Sequence, residues 1–261
     1  MSASSKRHFI LFRDIPLMYG RVPKVANSSI KQSLSKLLNK KSDKAIKTTA
    51  DRFWRRHTHG ETQLITTHQA RRLRATHFSF SFVRNPFDRL VAAYNNKIIE
   101  IPVVPVAMKK MGLYHSMPFD EFIRLICEAN PSNMDDHVRP QAEILVADKK
   151  LVPKFIGRIE HINDHWRSLR NRMKYEELPT LGRLPKVNVR RIKHSDIKNY
   201  FRTPKLIDLV LERYKIDFKR FYSDYTIDEL LNGDPLEKKP PLQKGRRTSK
   251  KNSTTKTYKN V

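Results

Sequence analysis

Two short strings in this chain carry the residue types that hold anionic oxygen atoms. The first is Pro23-Lys24-Val25-Ala26-Asn27-Ser28-Ser29. Its small side chains let backbone approach an anion. The first free N–H groups of a following helix point at that anion, and the helix dipole favours negative charge. Ser28 and Ser29 add hydroxyl donors, and Lys24 places a compact positive charge beside an oxygen. The second string is Arg84-Asn85-Pro86-Phe87-Asp88-Arg89. It sets two guanidiniums near a helix start, where each can grip a phosphate through two N–H groups. Neither is a Walker A loop, because Gly-x-x-x-x-Gly-Lys-Ser/Thr does not occur. Singly, each string also suits an ordinary capped helix with surface pairs; together they are a far more specific signal.

The elements around the strings fit that chemistry. Residues 15–22 predict a short strand ending at Pro23, which has no N–H to give a ladder. From Ser28, the residues Ile30, Leu34, Leu37 and Leu38 fall at helical spacing, with Asn27 or Ser28 as the cap. Phe78, Phe80 and Phe82 alternate with Ser79 and Ser81, the period of a strand. A helix follows at once, with Asn85 as cap, Pro86 at its first position, and Phe87, Leu90, Val91, Tyr94 and Ile98 on one face. Further helices are predicted from Phe119, from Ile162 and over residues 204–214, and a strand over 154–159. Strand–loop–helix, twice over, predicts an α/β sheet with largely parallel strands and a ligand at their carboxyl ends. Residues 40–75 are basic and hard to assign, with Phe53 and Trp54 docking on the core. The body is predicted as one domain, 1–234. From 235 the composition turns to Lys, Pro, Ser and Thr, too polar to order itself.

The string Arg21-Val22-Pro23-Lys24-Val25-Ala26-Asn27-Ser28-Ser29 resembles the 5′-phosphosulfate loop of the carbohydrate sulfotransferases, the family of the chondroitin and HNK-1 enzymes with many bacterial relatives. Phe80-Ser81-Phe82-Val83-Arg84-Asn85-Pro86-Phe87-Asp88-Arg89-Leu90-Val91-Ala92-Ala93-Tyr94 resembles their 3′-phosphate motif. His137-Val138-Arg139-Pro140-Gln141, Phe155-Ile156-Gly157-Arg158-Ile159-Glu160 and Tyr214-Lys215-Ile216-Asp217-Phe218 add to the likeness, which covers roughly residues 17–225. The resemblance implies a three-layer, P-loop-like sulfotransferase fold. It also implies the donor 3′-phosphoadenosine 5′-phosphosulfate (PAPS) and a carbohydrate acceptor. The implied donor site comprises Arg21, residues 23–29, Arg84, Arg89 and Arg158. One position departs from the pattern: Ala92 stands where the family places a serine on the 3′-phosphate. Ser81 is the hydroxyl available to replace it.

Sulfuryl transfer in line to a hydroxyl builds charge on the leaving phosphate oxygen, so fixed positive charge there is the chief lever. Lys24 is the candidate. The acceptor hydroxyl needs a base, and histidine suits neutral pH. His137, preceded by Asp135 and Asp136, is the first candidate among ten histidines; His68 and His59 lie between the two loops. His57 and His59 alone do not make a metal site, and none is predicted.

The single cysteine, Cys127, cannot form an internal disulfide, and no stretch reaches the length of a membrane span. Both features predict a cytoplasmic protein; a Golgi-type lumenal domain is the alternative if the chain is part of a longer one. The sequon at Asn27 lies inside the first loop and points the same way. The formal charge of +27 attracts polyanions, an acidic glycan among them. A nucleic-acid binder is the main rival, although no recognition helix, zinc finger or stacking platform is present. A small-molecule kinase and a glycan-binding sulfotransferase that has lost activity are the others.

Overall fold

The computed structural model describes residues 6–40, 46–187, 197–233 and 236–243. Its strands are β1 (Phe9–Phe12), β2 (Leu17–Gly20), β3 (Thr62–Ile65), β4 (Phe78–Val83), β5 (Val146–Ala147), β6 (Lys150–Leu151), β7 (Phe155–Arg158) and β8 (Leu242–Gln243). Six of them form one sheet in the order β3-β1-β2-β4-β7-β8, while β5 and β6 make a separate ribbon. β2, β4 and β7 pair in parallel, β3 points the same way, and β1 and β8 run opposite. This is the expected mixed α/β fold with a central, mostly parallel sheet flanked by helices.

The helices are α1 (Asn27–Leu34), α2 (Asp51–Arg56), α3 (Thr67–Arg72), α4 (Pro86–Tyr94), α5 (Val106–Lys109), α6 (Phe119–Glu128), α7 (Gln141–Leu145), α8 (Ile162–Tyr175), α9 (Ile197–Tyr200), α10 (Pro204–Arg213), α11 (Lys215–Phe221) and α12 (Ile227–Asn232). A π-helical segment, Asn95–Glu100, continues α4. Phe53 and Trp54 of α2 are fully buried, as their size and isolation predict.

β4 is buried along its whole length. Phe78, Phe80 and Phe82 pack to one side, each contributing roughly 1.5–3 kcal/mol by its burial. The serines between them are not a solvent face: Ser79 and Ser81 are buried and donate to the carbonyls of Val152 and Gly20. β7 can lie beside the Phe82 ring because residue 157 is glycine; a Cβ there would sit 2.2 Å from a ring carbon.

Register sets where a ligand can sit. Gly20 of β2 pairs with Ser81, and Val83 of β4 with Arg158, so the carboxyl ends of β2, β4 and β7 line one edge. Phe9 at the start of β1 joins that edge opposite Gly20. The segment read as the start of a free tail begins against the body instead. Leu236 is buried, the Glu237 carbonyl accepts from Tyr225, the Lys239 carbonyl lies 2.8 Å from His165 Nε2, and β8 pairs with β7. Residues 244–261 lie outside the described residues.

Candidate active site

Between β2 and α1 the chain makes two left-handed steps, at Lys24 with φ of 72° and Ala26 with φ of 58°. Each costs a non-glycine residue about 1–2 kcal/mol. Alternating left-handed steps of this kind are the backbone conformation from which anion-binding concavities are built. They also move the helix start forward. The cap is Ala26, not Asn27 or Ser28, and it makes no side-chain capping bond. Asn27 is drawn away to accept from the Tyr19 hydroxyl at 3.1 Å. The Lys24 ammonium reaches across to Asn96 Oδ1 in the π-helical segment. Of the two serines, Ser29 is engaged with the Val187 backbone, whose N–H donates to Oγ at 3.1 Å.

The second loop meets the first directly. Arg84 leaves β4, and its Nη1 donates to the Lys24 carbonyl at 3.3 Å. Its Nε and Nη2 grip Asp88, at 2.6 and 2.9 Å. Gln141 fixes the Arg84 backbone from both sides, accepting from its N–H at 2.9 Å and donating to its carbonyl at 2.8 Å. Gln141 is held by Asp217, which accepts the Gln141 and Ala142 N–H groups at 2.7 Å each and so caps α7. Burial pushes the Asp217 carboxyl up to about 6, against the pull of those donors. Asn85 caps α4 through Phe87 N–H, and its own N–H donates to Glu160. Burial pushes Glu160 up to about 7, in spite of that bond.

Three residues expected on the donor do other work. Arg89 is 1% exposed. Its Nε donates to the Pro23 carbonyl at 3.1 Å, and its two terminal nitrogens donate to the Arg139 and Asp136 carbonyls at 2.8 and 2.9 Å. It braces the 23–29 turn, with all three of its nitrogens engaged by carbonyls. Arg158 is equally buried; it donates to the Phe221 carbonyl and Asp224 and lies over the Tyr222 and Tyr225 rings. Arg21 pairs with Asp51 at 2.6 Å, and Lys31 of α1 takes the other oxygen of that carboxylate, also at 2.6 Å. Burial would raise the Asp51 carboxyl, but Arg21 and Lys31 together hold it at about 2. Ser81 cannot replace the serine missing at Ala92, because its side chain is buried with its hydroxyl on the Gly20 carbonyl.

The histidines separate. His137 Nδ1 lies 2.7 Å from Asp135 Oδ1, and the same oxygen accepts the His137 N–H at 2.9 Å. Burial would raise Asp135, yet the bond and charge of His137 hold it below the usual carboxylate range. With Nδ1–H donating to Asp135, Nε2 is the nitrogen left to accept a proton. Arg89 ties the carbonyls on both sides of His137 to Pro23, so this dyad rides on the segment clamped to the 23–29 turn. His68 is on α3, two-fifths exposed, and faces Asp148 at 3.5 Å, while His59 is exposed in a left-handed turn. Among the described residues, neither makes a hydrogen bond or ion pair with the two loops.

The structure thus brings together the 23–29 turn, Arg84 and the segment bearing His137. Asn96, Asp88, Gln141, Asp217 and Glu160 were not singled out. Asp88 and Asn96 had a detectable signal: Asp88, Ala92 and Asn96 recur every four residues along α4 and its continuation. The amide that holds Lys24 stands one turn beyond Ala92. His8, buried on the edge beside Arg21 and lowered to about 4 chiefly by burial, carried no signal in sequence. Among the described residues, no group of three or more His, Cys, Asp or Glu side chains could hold a metal ion, and no helix is long and apolar enough to cross a membrane.

No curated protein and no solved structure matches the chain. A family model described as "Sulfotransferase family" matches residues 7–223, from the start of β1 past the end of α11. That span holds both loops, the His137–Asp135 pair and the clamps that join them, and the chain belongs to the sulfotransferase family.

Proposed function

We propose that this sulfotransferase uses PAPS as donor and passes the sulfuryl group to a hydroxyl of a carbohydrate. One observation carries the reading: the left-handed turn with Lys24 at the start of α1 is joined by Arg84 Nη1 to the end of β4, so two anion-binding loops form one surface. A donor with a phosphosulfate at one end and a phosphate at the other needs two such loops. PAPS supplies an activated sulfuryl group on a phosphate leaving group.

The residues divide the work as follows. First-turn N–H groups of α1 receive the phosphosulfate oxygens. Lys24 exchanges Asn96 for the bridging oxygen as negative charge grows there. Arg84 serves the far phosphate with the part of its guanidinium that Asp88 leaves open; its side chain is one-fifth exposed, whereas Arg89 is closed off. His137 Nε2 takes the acceptor proton, with Asp135 fixing the ring and stabilising the imidazolium that forms. An acidic glycan suits the basic balance of the chain.

The test has two stages. Adenosine 3′,5′-bisphosphate, the desulfated donor, should raise the melting temperature. Radiolabelled PAPS should then label one or more members of an oligosaccharide panel. A protein that the bisphosphate leaves unchanged and that labels nothing is not a PAPS-dependent enzyme.

A further inference from the structure

Six large apolar side chains are exposed among the described residues, and four of them, Ile99, Val103, Val106 and Tyr114, fall within residues 99–114. Val103 and Val106 are 68% and 71% exposed, the most of the six. Their presentation is built in. The string Ile101-Pro102-Val103-Val104-Pro105-Val106 has two prolines that limit backbone freedom, so little order is lost when the tip is buried. Val104 and Met108 are buried and anchor the tip from below. Tyr114 is held by its hydroxyl, which donates to Glu121 at 2.8 Å. Four exposed apolar side chains on one anchored segment make it a candidate contact surface.

The charge around the tip is basic on balance. Residues 97–115 contain three lysines, Lys97, Lys109 and Lys110, against one glutamate, Glu100, and Tyr114 brings a second, Glu121, to the tip. Lys109 and Lys110 are exposed at the end of α5, after the exposed Val106 and Ala107 and the buried Met108. We infer that residues 99–114 dock the protein on an anionic lipid bilayer, with Val103 and Val106 entering the headgroup boundary and the lysines resting on the phosphates. A surface of this kind binds by two signals together, apolar insertion and basic attraction, and neither alone suffices. A second copy of the chain is the poorer partner: it would bring the same lysines against each other on molecules of formal charge +27.

The location gives the docking a consequence. Less than one turn of the π-helical segment separates Ile99 from Asn96, which holds Lys24. The docked protein therefore keeps its Lys24 turn close to the bilayer and meets acceptors carried on that surface. Docking itself rests on the tip and its lysines and stands apart from the assignment of the donor.

Sedimentation with vesicles tests it, using the whole chain against phosphatidylcholine alone and phosphatidylcholine with phosphatidylglycerol. The protein binds the anionic vesicles and not the neutral ones. Val103→Asp with Val106→Asp lowers partition at least about tenfold, and Lys109→Glu with Lys110→Glu lowers it as well. Both double variants keep their melting temperature and their response to adenosine 3′,5′-bisphosphate, since all four side chains are outside the core and the loops. Failure of the wild type to bind anionic vesicles overturns the inference. So does binding that the valine substitutions leave unchanged, which would mean charge alone acts. A wild-type dimer that the valine substitutions convert to monomer, with no vesicle binding, reassigns the tip to self-association.

Discussion

Arg89 donates its Nε to the Pro23 carbonyl across 3.1 Å while its other two nitrogens hold the Asp136 and Arg139 carbonyls. One buried guanidinium thus joins the turn that carries Lys24 to the segment that carries His137. Arg89→Lys leaves carbonyls without donors, because a lysine has a single point of charge and no fork. The expected loss is about 1–3 kcal/mol for each carbonyl left unpaired, the cost of an unsatisfied buried acceptor. Chemical denaturation measures it, and a variant of wild-type stability would show that the brace is dispensable.

Lys24→Ala is expected to lower turnover by ~10²–10³, as removal of a donor aimed at developing charge does. Binding of adenosine 3′,5′-bisphosphate should survive, because the α1 N–H groups and Arg84 remain. Single-turnover rates with saturating PAPS separate the two effects.

Asn96 has the opposite pair of variants. Asn96→Ala releases Lys24, and turnover should fall by no more than about tenfold, the scale of one ordinary hydrogen bond. Asn96→Asp replaces an amide by a carboxylate that holds the ammonium as an ion pair and should lower turnover further. Equal rates for the two variants would mean that Lys24 never has to leave residue 96.

The strand–loop–helix units were legible because their signals are local. The Phe-Ser alternation marked β4, and Asn85-Pro86 marked the start of α4 to the residue. The roles of the arginines were not legible, for a physical reason. A guanidinium suits a phosphate and a set of carbonyls equally well, and the choice is made by burial, which depends on distant segments. Arg89 is enclosed by residues 136–139 and Arg158 by residues 221–225, contacts that no spacing announces. The same limit applies to Asp51, whose partners Arg21 and Lys31 come together only once α2 folds against the sheet.

His137→Ala should remove the acidic limb of the pH–rate profile, whereas Asp135→Asn should preserve the limb with lower rates, since the ring keeps Nε2 but loses its orienting carboxylate. A His137→Ala profile with both limbs intact would assign the base elsewhere.

Glu160 gives a pH signature in stability. Burial raises its carboxyl from the ordinary value of 4.5 to about 7 in the folded protein. The folded state therefore binds more protons than the unfolded state between those values, and its stability falls as pH rises through that window. Glu160→Gln should flatten this part of the profile in thermal melts from pH 4.5 to 7. Asp51, held at about 2, acts in the opposite sense: its contribution is present above about 4 and is lost as pH falls toward 2.

If the 23–29 turn and Arg84 form one donor site, calorimetric titration with adenosine 3′,5′-bisphosphate reveals it. The expected result is one bisphosphate per chain, weaker binding of adenosine 5′-phosphate because Arg84 then has no phosphate to hold, and loss of that difference in Arg84→Ala. Equal affinity for the two nucleotides in the wild type, or no binding of either, would contradict it.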